Sequence, residues 1–271
     1  MMETLLDADY TIRDDKVIVR LFYKTENGRE IREVADFSPY FYAIPEDDID
    51  KLMDEVKTFD RIMSVEKKTM QDIHGEIEVL RLNVKLPRDV PNMRGEIKEL
   101  DHCREVREAD IPFAHRYIID SGMVPMENCE ELDLRIATFD LEVYNPRGEP
   151  DSDRDEIIMI SYADSMGLMR VWSTKGEDLD LDYVEVLDSE LEVIKKFIRT
   201  VKEREIDIVT SYNGDNFDFP YLKDRGGKYG IEIDLGIEGS PVRLERRGMR
   251  GGAKIKGRPH VDMFPIARQV F

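Results

Sequence analysis

The sequence predicts an α/β (α+β) protein of two domains, a mixed αβ domain over residues 1–130 followed by a second domain over 131–271 built on a mixed sheet. Three observations carry this expectation. The chain has 271 residues, and globular domains run to about 150 residues each. Its composition, 41% hydrophobic and 37% charged, is that of a chain able to bury cores without disulfide or metal staples. The hydrophobic period also changes near residue 130. Strand and helix signals are mixed before it, and after it they run strand, strand, strand, helix, strand, helix, an order in which helices cross back over a sheet to add further strands.

In the first domain, Val17 to Tyr23 and Glu76 to Val84 read as strands from β-branched content and partial alternation, and Asn27-Gly28 marks a hairpin turn. Asp48 to Phe59 and Val90 to Leu100 read as helices, the second with Pro91 near its start, where a missing amide hydrogen costs least. The stretch from Asp120 to Asp133 has no clear period and holds Gly122 and Pro125, so the boundary is placed there. Beyond it, Leu134 to Val143, Ile157 to Ala163 and Leu168 to Trp172 read as three strands, joined by a polar loop from Asn145 to Asp155 and a turn at Met166-Gly167. Apolar residues at Leu191, Ile194, Phe197, Ile198 and Val201 give Ser189 to Arg204 the spacing of an amphipathic helix. Asp207 to Tyr212 returns to strand and Phe217 to Tyr229 to helix, with Gly226-Gly227 an unexpected pair that predicts an early end.

Charge and cysteine content narrow the function. The net charge of −19 argues against nucleic-acid binding by bulk charge, since phosphate contacts come from Lys and Arg. One segment breaks the trend: Arg243, Arg246, Arg247, Arg250, Lys254, Lys256 and Arg258 stand against Glu245 alone between residues 241 and 260. Short alternating arms around Gly248, Gly251 and Gly252 predict a glycine-tipped hairpin there, whose plain alternative is a solvated positive loop. Cys103 and Cys129 form no C-x-x-C pair and fit a reducing compartment as free thiols. No basic leader or apolar run of membrane-spanning length is present, so no membrane partner is expected and the location is read as cytoplasmic. His74, His102, His115 and His260 show no ligand spacing. The high charged fraction fits a heat-adapted surface rich in ion pairs.

Chemistry gathers in two phrases. In Phe139-Asp140-Leu141-Glu142, a strand places Asp140 and Glu142 on one face and Leu141 on the other, and two adjacent carboxylates call for a cation such as Mg²⁺ or Mn²⁺. Alone the spacing is weak, since it recurs at Asp7/Asp9, Glu76/Glu78 and Glu190/Glu192. The second phrase, Tyr212-Asn213-Gly214-Asp215-Asn216-Phe217-Asp218, runs from an apolar strand through a turn dipeptide to a helix start. Asp218 there could equally be an ordinary helix-start acid.

Taken together, these two phrases resemble the first two exonuclease motifs of family B DNA polymerases, and the whole chain is similar to the N-terminal and proofreading portion of the archaeal members. Supporting phrases are Phe37-Ser38-Pro39-Tyr40, Asp89-Val90-Pro91, Asp110-Ile111-Pro112-Phe113-Ala114-His115-Arg116 and Ile158-Met159-Ile160-Ser161-Tyr162-Ala163-Asp164. The resemblance implies a ribonuclease H-like exonuclease domain over 131–271. Asp140, Glu142 and Asp218 would hold two Mg²⁺ or Mn²⁺ ions, and Asn213 and Phe217 would position a frayed 3′ nucleotide. Arg246, Arg247 and Arg250 would meet DNA backbone phosphate. It further implies a template uracil pocket in the first domain at Tyr10, Pro39, Tyr40, Pro87, Val90, Ile111, Phe113 and Arg116.

The implied partners are DNA, as primer 3′ end and single-stranded template, and the remaining polymerase segment or subunit. The third exonuclease motif, a Tyr four positions before a further Asp, is not found. Asp262 does not fit it, because Arg258 stands four positions earlier. The two-metal site is therefore expected to be incomplete in these residues, with little nuclease and no polymerase activity from them alone. The competing expectation is a non-catalytic single-stranded DNA-binding module.

Overall fold

The structure, a computed structural model, describes residues 2–73, 75–146, 148–176, 180–247 and 250–270; the side chains of 246, 247, 250 and 251 lie outside that description. Strands β1 (Glu3–Arg13), β2 (Lys16–Thr25) and β3 (Gly28–Val34) form a three-stranded sheet. They are followed by β4 (Tyr40–Pro45), α1 (Ile49–Val56), β5 (Ile62–Asp72), β6 (Gly75–Val84), α2 (Val90–Lys98), β7 (Cys103–Arg107) and α3 (Phe113–Asp120). Then come β8 (Ile136–Val143), β9 (Ile157–Asp164), β10 (Met169–Ser173), β11 (Val184–Val186), α4 (Glu190–Glu203), β12 (Ile208–Ser211) and α5 (Asp218–Lys228). The last elements are β13 (Arg243–Arg247), β14 (Arg250–Lys254), β15 (His260–Asp262) and α6 (Met263–Val270). Contacts divide the chain into two compact units, one of residues 8–20 and 31–124, the other of 1–7, 21–30 and 125–271. Among the described residues no helix is long and apolar enough to cross a membrane.

In the unit of residues 8–20 and 31–124, the sheet runs β5-β6-β4-β7 with antiparallel neighbours. Its core joins Phe41, Leu80 and Leu82 of the sheet to Leu52 and Val56 of α1 and Met93 and Ile97 of α2. Asp48 caps α1 by accepting from the backbone N–H of Asp50 and Lys51 at 3.0 and 3.3 Å, satisfying donors that the first helical turn leaves open.

The larger unit is built on a six-stranded mixed sheet of order β11-β10-β9-β8-β12-β15. β8–β9 and β9–β10 are antiparallel; β10–β11, β8–β12 and β12–β15 are parallel. Helices α4 and α5 cover one face. Phe139 of β8 packs between Phe197 of α4, with ring centroids 4.7 Å apart, and Phe219 of α5, at 5.2 Å. Ser189 caps α4 through the N–H of Glu192.

α5 continues through Gly226-Gly227 to Lys228, longer than the glycine pair implied. A Cβ on Gly226 would come within 2.9 Å of Ile233 Cδ1 and 3.2 Å of the Ile231 carbonyl, so close packing, not helix termination, accounts for the residue. The two predicted arms pair antiparallel as β13 and β14, with Arg247 opposite Arg250 and with Gly251 and Gly252 inside β14, while the tip at Gly248 lies outside the described residues.

Candidate metal and nuclease site

The site grows from a strand that outruns its neighbour. β8 is paired with β12 only at Ile136, Ala137 and Thr138, and β12 ends at Ser211. Its side chains alternate strictly: Ala137, Phe139 and Leu141 are buried, while Thr138, Asp140 and Glu142 are exposed on the opposite face. Past Thr138 the chain leaving β12 turns at Asn213, whose φ of 67° lies in the left-handed region that Asn tolerates. At Gly214 a Cβ would fall 1.9 Å from Ser211 Oγ, so only glycine fits.

Helix α5 begins at Asp218, which is 1% exposed. Its Oδ1 accepts from the N–H of Leu141 at 3.1 Å. The carboxylate thus hangs from the peptide between Asp140 and Glu142, in the place a strand partner would have filled.

Electrostatics mark this acid out. Burial, and then the negative charges of Asp140 and Asp262, push the Asp218 carboxyl up to about 7, against the opposing pull of backbone N–H groups. Burial also raises Asp140. Among the described residues, no group of three or more His, Cys, Asp or Glu side chains stands at metal-ligand spacing. The structure therefore couples Asp140 to Asp218 and sets Glu142 on the face of Asp140 without closing a three-acid cage. The donor set still suits a hard divalent cation: it is oxygen only, anionic, partly desolvated and mutually repelling. A cavity of about 400 Å³ opens on the uncovered sheet face beside Asp140, lined by Thr138, Ser161, Arg170, Tyr183 and Tyr212. A second, of about 930 Å³, lies beyond the end of β8 between Tyr144, Arg154 and Lys175.

The remaining expected residues distribute as follows. Asn213 donates its backbone N–H to Asp262 Oδ1 at 2.8 Å and accepts from Asn216 Nδ2 through its own side chain. Phe217 is half-buried, its ring 5.3 Å from Tyr221. The backbones of Arg246, Arg247 and Arg250 lie in the hairpin strands; their side chains lie outside the described residues.

In the other unit, Tyr10 meets Phe113 edge-on at 5.6 Å. Tyr40 donates its hydroxyl to Asp120 at 2.6 Å. The guanidinium of Arg116 lies 4.9 Å from the Tyr40 ring and pairs with Glu108. Pro39 accepts from Val84 through its carbonyl. Pro87 opens the short 3-10 turn that precedes α2, Val90 is the first residue of α2, and Ile111 lies just before α3. Sequence reasoning missed Phe37, which packs on both Phe113 and Tyr117, and Arg81, whose guanidinium stands 3.8 Å from the Tyr40 ring. The aromatic spacing of Phe37 and Tyr40 was the available signal; Arg81 gave none.

An acid-bearing central strand, flanked in the order β10-β9-β8-β12-β15 and joined by an acid at the following helix start, defines a ribonuclease H-like exonuclease domain. The chain belongs to the family B DNA polymerases, residues 127–271 matching the profile described as DNA polymerase family B, exonuclease domain. It is 42% identical to a DNA polymerase of Thermococcus gorgonarius and 40% identical to DNA polymerase 1 of Pyrococcus abyssi, over 98% of this chain and 34% of each relative. Its fold is similar to the structure of the family B DNA polymerase from the hyperthermophilic archaeon Pyrobaculum calidifontis, with a TM-score of 0.81 and 26% identity over 99% of this chain and 37% of that one. The chain thus spans about a third of the length of the curated relatives it matches.

Proposed function

We propose that residues 131–271 carry most of a 3′-to-5′ proofreading exonuclease site and that residues 1–130 hold single-stranded template, within a cytoplasmic DNA polymerase whose polymerising part lies outside residues 1–271. The observation that carries this reading is the Asp218 carboxylate, buried beside Asp140 and hung from the peptide that joins Asp140 to Glu142. Asp140, Glu142 and Asp218 would hold Mg²⁺ or Mn²⁺; two such ions, when bound, supply an activated water and neutralise charge on the departing 3′ oxygen. The protein's own contribution is position. The peptide N–H of Leu141 fixes one carboxylate, the alternation of β8 fixes the other two, and the cavity beside Asp140 gives room for a strand end. Asn213 and Phe217, on the turn leading to Asp218, flank the terminal nucleotide. A mismatched end costs less to unstack than a paired one, which gives the site its bias.

In the first unit, the cluster of Tyr10, Tyr40, Phe113 and Arg116 supports a template contact made by rings and a guanidinium. The uracil reading adds a slot at these positions that excludes the thymine methyl by shape. The rival reading, a non-catalytic single-strand-binding module, is favoured by the open arrangement of the three acids. A direct assay separates them. In the polymerase containing this chain, Asp140→Ala should lower Mg²⁺-dependent removal of a mismatched 3′ nucleotide by about 10³-fold or more, with the same DNA still bound. An unchanged rate contradicts the nuclease assignment.

A further inference from the structure

Behind the acids lies a second polar assembly, and it has the outline of a catalytic triad. Ser211 Oγ lies 2.7 Å from His260 Nε2, and His260 Nδ1 lies 3.1 Å from Asp215 Oδ1. It is not a nucleophile centre. Ser211 is 2% exposed, the His260 side chain 1%, and Gly214 closes over the hydroxyl so tightly that a single added carbon would collide with it. No substrate carbonyl or phosphorus can reach the oxygen.

What the assembly does hold is the turn between β12 and α5. His260, at the start of β15, is wedged edge-on against Phe219, with ring centroids 4.6 Å apart, and engages the turn at both ends, Ser211 before it and Asp215 within it. Asp215 Oδ1 also accepts from the N–H of Ala253 in β14 at 2.7 Å. Two residues along β15, Asp262 accepts from the N–H groups of Asn213 and Asp215. One side chain of the turn is therefore fastened simultaneously to a sheet strand and to the second arm of the arginine hairpin. The Asp215 carboxylate, half-buried with its side chain 23% exposed, keeps these donors together only in one placement of the turn.

We propose that Asp215, gripped by His260 and by the hairpin N–H of Ala253, is a positioning residue that fixes the turn carrying Asn213 and Phe217 in register with Asp218, so that hairpin and 3′-nucleotide site are set as one piece. The proposal rests on the nuclease reading and goes beyond it in assigning a task to three side chains that touch no substrate.

The test is binding of a short single strand bearing 2-aminopurine at its 3′ terminus, followed by fluorescence on the whole chain with Ca²⁺ present. Asp215→Ala should weaken 3′-end binding about tenfold, equivalent to losing one or two buried hydrogen bonds, although it removes a negative charge from a DNA-binding protein. Asp215→Asn, whose amide oxygen still accepts from both donors, should restore affinity to within about twofold, again because the hydrogen bonds are kept. A role in overall stability alone would lower the melting temperature of the Ala variant without this selective change and rescue. Should Asp215→Ala not fold, His260→Gln and Ser211→Ala carry the same expectation. If Asp215→Ala leaves 3′-end binding unchanged, or if Asp215→Asn fails to rescue, the positioning role is overturned, while the nuclease reading stands or falls separately on the excision rate of Asp140→Ala.

Discussion

Asp218 concentrates the physics of the site in one carboxylate. A strand that extends past its neighbour leaves the N–H of Leu141 without a ladder partner, and the first residue of α5 fills that place with an acid. The sequence made the acid and the helix start visible. It could not show the burial, because that depends on β12 ending at Ser211 and on a turn that only Gly214 permits. The consequence is a measurable pH dependence. Burial, with Asp140 adding to it, raises the carboxyl to about 7 in the folded state, above its ordinary range. The stability it contributes is therefore full at low pH and is lost as pH rises through about 7. In chelator, Asp218→Asn should melt higher than the parent chain at pH 8 by roughly 5 °C or more, with the gap narrowing toward pH 4. A gap that is constant with pH would contradict the burial of a charged Asp218. The acid-x-acid spacing of Asp140 and Glu142, by contrast, was fully legible, since alternation along a strand admits no other placement.

At the scale of elements, periodicity located β8, β9, β10, α4, β12 and the start of α5 to within a few residues, because each buries one face against the same core. It did not find β1, whose buried residues fall in consecutive runs without alternation, nor β3, β5 or β7, whose exposed positions dilute the period. Nor could it foresee what locks α4 to α5. Glu190, the first residue of α4, is 3% exposed. It accepts from Arg225 Nε at 2.7 Å and also from Nη2, from Tyr229 Oη at 2.7 Å, and from the N–H of Ile157 at 2.8 Å. In isolation Glu190 was merely one more member of an acid-x-acid pair.

Burial pushes this carboxyl up, but the bonds from Arg225, Tyr229 and Ile157 outweigh it and hold it below the usual glutamate range. Its stabilisation is present above that range and is lost as pH falls through the lowered value, the opposite sign to Asp218. Glu190→Gln leaves the Arg225 charge buried without its counter-ion and should cost about 3–5 kcal/mol, read as a fall in melting temperature on the order of 10 °C. It should also flatten the acid limb of the stability profile. A loss below about 1 kcal/mol, the range of an exposed pair, would show that water reaches the guanidinium.

For the molecule as a whole, the excess of acidic residues argues against binding to DNA by net charge; under the proposed function, recognition falls to local features such as the hairpin of β13 and β14 and the acids that call for cations. The charged residues include partly buried ion-pair nodes, such as Asp207 held by both Lys24 and Arg29 at 2.8 Å, beside exposed pairs such as Arg199 with Glu203. Networks of this kind gain in value as temperature rises. The chain should therefore unfold above about 80 °C, well beyond the range where mesophilic domains cluster; a calorimetric midpoint within that mesophilic range would refute the heat-adapted reading.

In the proposed site, Asp140, Glu142 and Asp218 hold divalent cations together. Titrating the chain with Mn²⁺ under electron paramagnetic resonance tests it most directly. Saturable binding at millimolar or lower concentration that Asp140→Ala abolishes is the expected result; weak, unsaturable binding indifferent to that substitution would show that the three acids do not form a metal site.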